Sequence, residues 1–281
     1  MFNRRSAPKP GRVLPGFGLS MGITVGYLTA VFLVPVAGLV LRSAGIGWEG
    51  LVESVLSPAA RSSYIITLRG AAVASLVNAV FGFVTAWALV RYRFPLRRFF
   101  DVIVDLPFAL PGAVGGLALT AVYADNGWIG DLLAPLGIQV AYAPLGIYVT
   151  YVFVGLPFVI RSVQPVLENL EAEEEQAAHV LGATDIQTFF RVIVPAALPA
   201  TISGATLAFA RAIGDYGTVI FMAGNVPLRS EVASRLVYNR LDQYDVVGAT
   251  SVATVMLLFS FIMLIAINLL QKRATAREVE L

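Results

Sequence analysis

The sequence has no cysteine and only one histidine, His179, among its 281 residues. The lack of cysteine excludes disulfides, thiolate metal sites and cysteine nucleophiles. One histidine cannot supply a metal site made of several histidines, such as the His-Glu-x-x-His pair of metalloproteases. A serine hydrolase with a histidine base would depend on His179 alone. These absences argue against an enzyme.

Lysine is nearly absent as well, with Lys9 and Lys272 as the only two. The loop that cradles phosphates in many ATPases needs the pattern Gly-x-x-x-x-Gly-Lys-Ser/Thr. Neither lysine lies in that pattern. The chain therefore cannot hydrolyse ATP by that route, and we expect it to bind no cofactor of its own.

Charge is scarce: 14% of the residues are charged and 57% are hydrophobic, whereas about a quarter of a soluble domain is charged. A membrane-spanning helix needs about 20 mostly apolar residues. Six segments meet that length, at residues 18–41, 64–90, 100–124, 143–166, 197–223 and 246–270. The sequence therefore predicts an all-α membrane protein with six transmembrane helices.

Prolines interrupt two of these predicted spans. Pro107 and Pro111 fall inside the third, and Pro195 and Pro199 lie at the start of the fifth. Such breaks survive in lipid only where neighbouring helices satisfy the freed backbone groups. The spans are therefore expected to form a packed bundle.

Arginine and lysine predict the orientation, because short cytoplasmic loops carry an excess of both. With both termini in the cytoplasm, thirteen of the twenty basic residues lie inside and five lie outside. Both termini are therefore predicted to be cytoplasmic. The chain then divides into an N-terminal segment at 1–17, a six-helix transmembrane domain at 18–271 and a cytoplasmic tail at 272–281.

The cytoplasmic loop between spans four and five, about residues 167–194, carries helix signals of its own. An acidic run precedes a short apolar stretch that ends at Gly182, which is typical of the start and end of a helix. Thr184 and Gln187 have the spacing of a capping box for a second helix that leads to Pro195. The loop is therefore predicted to be an exposed helical hairpin, a shape suited to docking.

This hairpin resembles the "EAA" signature of the permeases of ABC importers. That family has Glu-Ala-Ala, three residues, Gly, nine residues, then Ile-x-Leu-Pro. Here Gln176, Ala177 and Ala178 are followed at the same spacings by Gly182 and by Val-Ile-Val-Pro at residues 192–195. The resemblance implies the type I ABC importer permease fold.

The resemblance also implies a role for the hairpin. Residues 171–186 would form the coupling helix that inserts into a cleft of a separate ATPase subunit, which binds ATP and Mg. Gln176 stands in the family's Glu position, and Glu175 directly precedes it. The residues expected at this contact are Glu175, Gln176, Ala177, Ala178 and Gly182.

Other stretches are similar to the oxyanion permeases, and most similar to the T-type subunit of sulfate/thiosulfate importers. They are Phe209–Gly217, Val219–Pro227, Tyr244–Thr250, Ile267–Gln271 and Leu106–Pro111. This resemblance implies the bacterial inner membrane as location, with membrane lipid around the chain and no nucleic acid. The implied partners are a W-type permease subunit, an ATPase dimer and a periplasmic sulfate/thiosulfate-binding protein.

Within the fifth predicted span, Arg211 and Asp215 are four residues apart and close enough to pair. Each is costly alone in hydrocarbon. Arg211 either faces the pathway and offers a guanidinium fork to a passing dianion, or forms a permanent ion pair that holds the bundle together. Asp215 stands where the family usually has Glu.

The outer loop at 224–245 either contacts the binding protein or re-enters the bundle.

Two other functions compete with sulfate import. A permease for molybdate or tungstate would share the same fold and coupling segment. A secondary transporter driven by an ion gradient would show inverted repeats and ion-coordinating groups near the midplane. The sequence has no internal repeat, which disfavours the secondary transporter.

Overall fold

The computed structural model describes residues 17–45, 47–170 and 172–279, and every regular element in this part of the chain is helical. In chain order the helices are α1 (Phe17–Ala44), α2 (Gly47–Leu56), α3 (Pro58–Arg91), α4 (Arg97–Val104), α5 (Leu106–Ala109), α6 (Gly112–Tyr123), α7 (Gly130–Leu133), α8 (Pro144–Asn169), α9 (Ala172–Val180), α10 (Asp185–Ile213), α11 (Val219–Met222), α12 (Ala233–Asp242) and α13 (Val246–Val279). The predicted all-α class is confirmed. The predicted N-terminal segment, apart from Phe17, lies outside the described residues.

Five helices in the described part of the chain are long and apolar enough to cross a membrane: α1, α3, α8, α10 and the Val246–Ile265 part of α13. They correspond to the first, second, fourth, fifth and sixth predicted spans. The longest of them, α3, begins with Pro58 in its first turn, and Ser57 caps it by accepting a hydrogen bond from the Ala60 N–H. Proline in the first turn costs no helical hydrogen bond, because that N–H has no partner in the helix.

The third predicted span, 100–124, is not one continuous helix but three short ones, α4, α5 and α6. Leu110 has an extended backbone with ψ of 133°. That conformation is expected before a proline, whose ring disfavours the helical region for the preceding residue. Pro111 therefore separates α5 from α6, as its position in the sequence suggested.

The fifth predicted span, 197–223, is wrong at its C-terminal end, and at its N-terminal end it is continuous with the predicted second helix of the hairpin. Its helix, α10, already begins at Asp185 and ends at Ile213. A π-helical stretch, Phe189–Ile193, leads into Pro195 without a break, so the second arm of the hairpin continues directly into the span. At the other end, the Asp215 carboxylate accepts hydrogen bonds from the Val219 N–H (3.0 Å) and the Thr218 hydroxyl (3.3 Å). These bonds start the separate helix α11.

The core lies between α3, α8 and α10. Towards the Arg91 end of α3, Phe83, Ala86 and Leu89 pack against residues of α8 and α10. Glycines allow the three backbones to approach: a Cβ on Gly82 would lie 2.8 Å from the side chain of Val159, and a Cβ on Gly204 would lie 2.6 Å from the Val159 Cα. Small residues at helix contacts are typical of membrane bundles, where close packing drives association.

Candidate functional site

The turn between α9 and α10 has the geometry predicted from Gly182. Its φ is +87°, a left-handed conformation that glycine adopts without strain. The Gly182 N–H donates to the His179 carbonyl at 2.9 Å, and the Ala183 N–H donates to the Ala178 carbonyl at 3.0 Å. These two bonds are those of a Schellman motif, which satisfies the last carbonyls of α9.

The predicted capping box at the start of α10 is also confirmed. The Thr184 hydroxyl accepts a hydrogen bond from the Gln187 N–H at 3.3 Å, and the Gln187 side chain accepts one from the Thr184 N–H at 3.0 Å. The two caps fix the angle between α9 and α10. We call residues 172–188 the Gly182 hairpin. The predicted first residue of the coupling helix, Glu171, lies outside the described residues.

The tip of the hairpin is apolar and open. Val180 and Leu181 are 87% and 88% exposed, and Gln176 and Ala177 are exposed on the preceding turn, while Ala178 is half-buried. Exposed large apolar side chains that lie together are typical of an interaction surface. The hairpin therefore offers these residues to a partner.

Glu175 has a different environment from the other four residues expected at the partner contact. Its carboxylate pairs with the guanidinium of Arg91, at the last residue of α3, and Arg91 also donates to the Leu170 carbonyl at 3.3 Å. The Glu175 and Arg91 side chains are only 26% and 24% exposed. Glu175 thus binds the hairpin to α3 within the chain.

Aromatic side chains support the same junction. Trp87 of α3 packs edge-on against Phe189 of α10, with ring centroids 4.9 Å apart, and against Tyr92 at 5.2 Å. These rings line an open pocket of about 520 Å³ beside Glu175 and Arg91. Edge-to-face aromatic pairs stabilise packing beyond the area they bury. The hairpin is therefore held to the end of α3 by both charge and packing.

A second polar cluster, which the sequence did not reveal, joins the interrupted third span to α8. Arg161 donates to Asp105 at 2.6 Å and 2.8 Å, to Asp101 at 2.7 Å and to Gln164 at 2.6 Å. Asp101 and Asp105 are four residues apart, on α4 and just after it. Two acids at this spacing in an apolar stretch indicate a polar contact. The spacing does not identify the partner, Arg161, which is 56 residues from Asp105.

Replacement of Arg161 by alanine is expected to lower the free energy of unfolding moderately. The side chains of Arg161, Asp101 and Asp105 are 32–47% exposed, so water screens part of their attraction. We expect a loss of about 1 kcal/mol, which corresponds to a melting temperature lower by roughly 2–4 °C in a protein of this size. Thermal unfolding of the detergent-solubilised protein would measure it. Arg161→Lys should lose less, since it keeps the charge. Equal melting temperatures for the wild type and both variants would contradict a stabilising role for the Arg161 contacts.

At the opposite end of α10, the predicted pair of Arg211 and Asp215 is present. The Arg211 Nη1 lies 3.0 Å from the Asp215 carboxylate, and the side chains are 37% and 2% exposed. Arg211 lies in the last turn of α10. A cation in that turn is favoured by the helix dipole. Asp215 is buried and also accepts a hydrogen bond from the first N–H of α11, whereas the Arg211 side chain is partly exposed.

The loop at 224–245, which the sequence predicts to be on the outer side, folds back into the bundle. Val232 and Ala233 are 0% and 1% exposed, and the Ala233 N–H donates to the Thr67 hydroxyl of α3 at 2.9 Å. Val232 packs in the same core cluster as Tyr151 of α8 and Phe209 of α10. The start of α12 is therefore part of the bundle core.

Among the described residues, no group of three or more His, Asp or Glu is placed to hold a metal ion.

Comparison with known proteins decides the family. Residues 78–276 match the family described as the inner membrane component of binding-protein-dependent transport systems. The chain belongs to this family. It is an ABC importer permease, a transport component rather than a catalytic one.

Two of the permease's relatives are sulfate transport system permease proteins CysT. The one from Synechocystis is 46% identical over 250 residues, which cover 89% of this chain and 87% of the relative. The one from Escherichia coli K12 is 44% identical over 268 residues, which cover 95% of this chain and 97% of the relative.

Solved structures agree on the fold. A chain of a bacterial ABC transporter involved in the import of the acidic polysaccharide alginate has a TM-score of 0.73 at 15% identity, with 92% of this chain and 96% of that chain covered. A chain of the methionine transporter MetNI in an inward-facing conformation has a TM-score of 0.60 at 18% identity, with 79% and 98% covered. At these identities the likeness concerns the fold alone.

Proposed function

We propose that this permease is one of two transmembrane subunits of an ATP-driven importer that carries sulfate, or sulfate and thiosulfate, across the bacterial inner membrane. The observation that carries the proposal is identity of 44–46% to sulfate permeases along nearly the whole chain. By the same likeness the partners are a W-type permease, an ATPase dimer that binds ATP and Mg, and a periplasmic sulfate/thiosulfate-binding protein.

The proposed arrangement in the membrane has six crossings at 18–271 and both termini in the cytoplasm. The interrupted stretch from α4 to α6 would make the third crossing, as part of the bundle and not as an independent helix. Arg161 supports this, because it holds Asp101 and Asp105 against α8. The segment 1–17 and the tail 272–281 would then lie on the same side as the Gly182 hairpin.

The Gly182 hairpin would couple the permease to the ATPase. Its exposed tip would enter a cleft of the ATPase, with Gln176, Ala177 and Ala178 at the contact and Gly182 setting the turn. Glu175 would not contact the ATPase but would transmit movement of the hairpin to α3, because it pairs with Arg91. This differs from the expectation drawn from the sequence, in which Glu175 itself contacts the ATPase, and keeps the other four residues at that contact.

Labelled-sulfate uptake tests the substrate. Cells that lack this permease should regain uptake when it is restored, and excess thiosulfate but not molybdate should block that uptake. Collapse of the proton gradient with ATP kept constant should have little effect, which separates an ATP-driven importer from a secondary transporter. Restored uptake blocked only by molybdate would move the substrate to that oxyanion.

Arg211 is proposed to face the translocation path, since its side chain is 37% exposed while its partner Asp215 is buried. Arg211→Gln should lower sulfate uptake several-fold at equal protein levels, because a guanidinium fork would no longer meet the dianion. Arg211→Lys should retain more uptake than the glutamine variant. Unchanged uptake in Arg211→Gln would show that the pair only holds the bundle together.

A further inference from the structure

A second arginine lies where α12 meets the end of α10. The Ser234 hydroxyl donates to the Asp215 carbonyl at 2.9 Å. Beside this bond the rings of Tyr216 and Tyr238 are stacked, with centroids 5.4 Å apart and an angle of 27° between their planes. Two contacts therefore join the first turns of α12 to the Arg211 end of α10, and Arg235 follows Ser234 directly.

Among the described residues, Arg235 makes no side-chain hydrogen bond. Its guanidinium carbon lies 5.4 Å from the centroid of the Tyr238 ring, and its Nε is buried without a hydrogen-bond partner. Within the described residues no ion pair involves Arg235. By contrast Arg240, in the same helix, donates to Ser54 and Ser57. A buried donor that is left without a partner is costly, so the site lacks an acceptor.

The charges around Arg235 favour an anion. Arg211 and Asp215 neutralise each other, and Glu231, the buried acid that begins this turn of chain, accepts a hydrogen bond from Asn239. Within the part of the chain that the structure describes, neither acid forms an ion pair with Arg235. Arg235 also lies in the first turn of α12, where the helix dipole already disfavours a cation and favours an anion.

We propose that Arg235, together with Arg211 and the Tyr216–Tyr238 pair, forms a binding site for a tetrahedral oxyanion dianion at the end of the bundle away from the Gly182 hairpin. The inference rests on the proposed function and names the residues that receive its substrate. Asp215 keeps the affinity low, because it competes with the anion for Arg211. When no anion is bound, the Tyr238 ring supports the Arg235 guanidinium through a cation–π contact.

The test compares Arg235→Ala with Arg229→Ala in the complete importer, reconstituted in liposomes with saturating sulfate-loaded binding protein. Arg229 is an exposed arginine of the same segment and lies outside the cluster. Arg235→Ala should lower the maximal rate of sulfate uptake about five-fold, as expected for one charge-assisted contact to a partly hydrated anion. Arg229→Ala should match wild type, and Arg235→Lys should recover part of the loss.

ATP hydrolysis stimulated by the binding protein separates the possible roles of Arg235. An anion site predicts that stimulated hydrolysis is unchanged in Arg235→Ala while uptake falls. Loss of stimulation in step with uptake would show that Arg235 docks the binding protein instead, and equal uptake in both alanine variants would also overturn the site. If the wild-type importer carried molybdate and not sulfate, the proposed substrate would fail, and the same ratios measured with molybdate would still test Arg235.

Discussion

Replacement of Gly204 by valine is expected to prevent the permease from accumulating as a folded protein. A Cβ at this position would lie 2.6 Å from the Cα of Val159 and 2.9 Å from the carbonyl oxygen of Phe158. Both are backbone atoms of α8, so no side-chain rotation relieves the contact. Inserting atoms into a well-packed core costs about 1–3 kcal/mol and more where the backbone must move.

The measurement is the yield of monodisperse protein by size-exclusion chromatography in mild detergent. Gly38→Val is the matched control, because a Cβ on Gly38 of α1 has no atom within 4 Å. We expect Gly38→Val to give the wild-type yield and Gly204→Val to give almost none. Similar yields from both variants would show that α8 and α10 are not held as closely as described.

Replacement of Gly182 by valine should abolish most ATP-dependent uptake while the permease still inserts and folds. The Gly182 φ of +87° is unfavourable for any residue with a Cβ, and a β-branched side chain tolerates it least. The strain of a left-handed residue is roughly 1–2 kcal/mol, and every 1.4 kcal/mol is a factor of ten in the ratio of the native turn to other conformations of the hairpin. We therefore expect uptake to fall by about ten-fold or more.

Gly182→Asn separates the effect of backbone strain from the effect of adding a side chain. Asparagine adopts left-handed conformations more readily than other residues that have a side chain. A Cβ here meets nothing within 4 Å, so the turn itself has room for a side chain. Asparagine should therefore retain most uptake, and Gly182→Arg should fail as valine does. Full uptake in the valine variant, with normal protein levels, would contradict the role of the hairpin in coupling.

The features that the sequence predicted well are local ones. The Gly182 turn and the Thr184–Gln187 capping box depend on residues within a few positions of each other, and both are present. The second predicted span, 64–90, lies within one continuous helix, α3, although α3 begins earlier, at Pro58. In each case the residues that determine the structure are neighbours in the chain.

The errors concern residues whose role depends on distant or polar contacts. Hydropathy extended the fifth span to 223, because the residues after Gly214 are largely apolar, but α10 ends at Ile213 and the Asp215 carboxylate accepts a hydrogen bond from the first N–H of a separate helix, α11. The pairs of Glu175 with Arg91 and of Arg161 with Asp105 join residues that are 84 and 56 positions apart. No spacing rule indicates partners at that distance.

The unbroken course of α10 has a mechanical consequence. It contains 29 residues, from Asp185 beside the hairpin turn to Ile213 just after Arg211, which at 1.5 Å per residue makes it roughly 43 Å long. Where such a helix stays straight, a tilt imposed at one end appears at the other end within the same motion. The π-helical stretch Phe189–Ile193, Pro195 and Pro199 all lie near the hairpin, and a helix bends most readily at such features. Force applied by a partner at the hairpin would reach Arg211 through this one helix, with no loop between the two places.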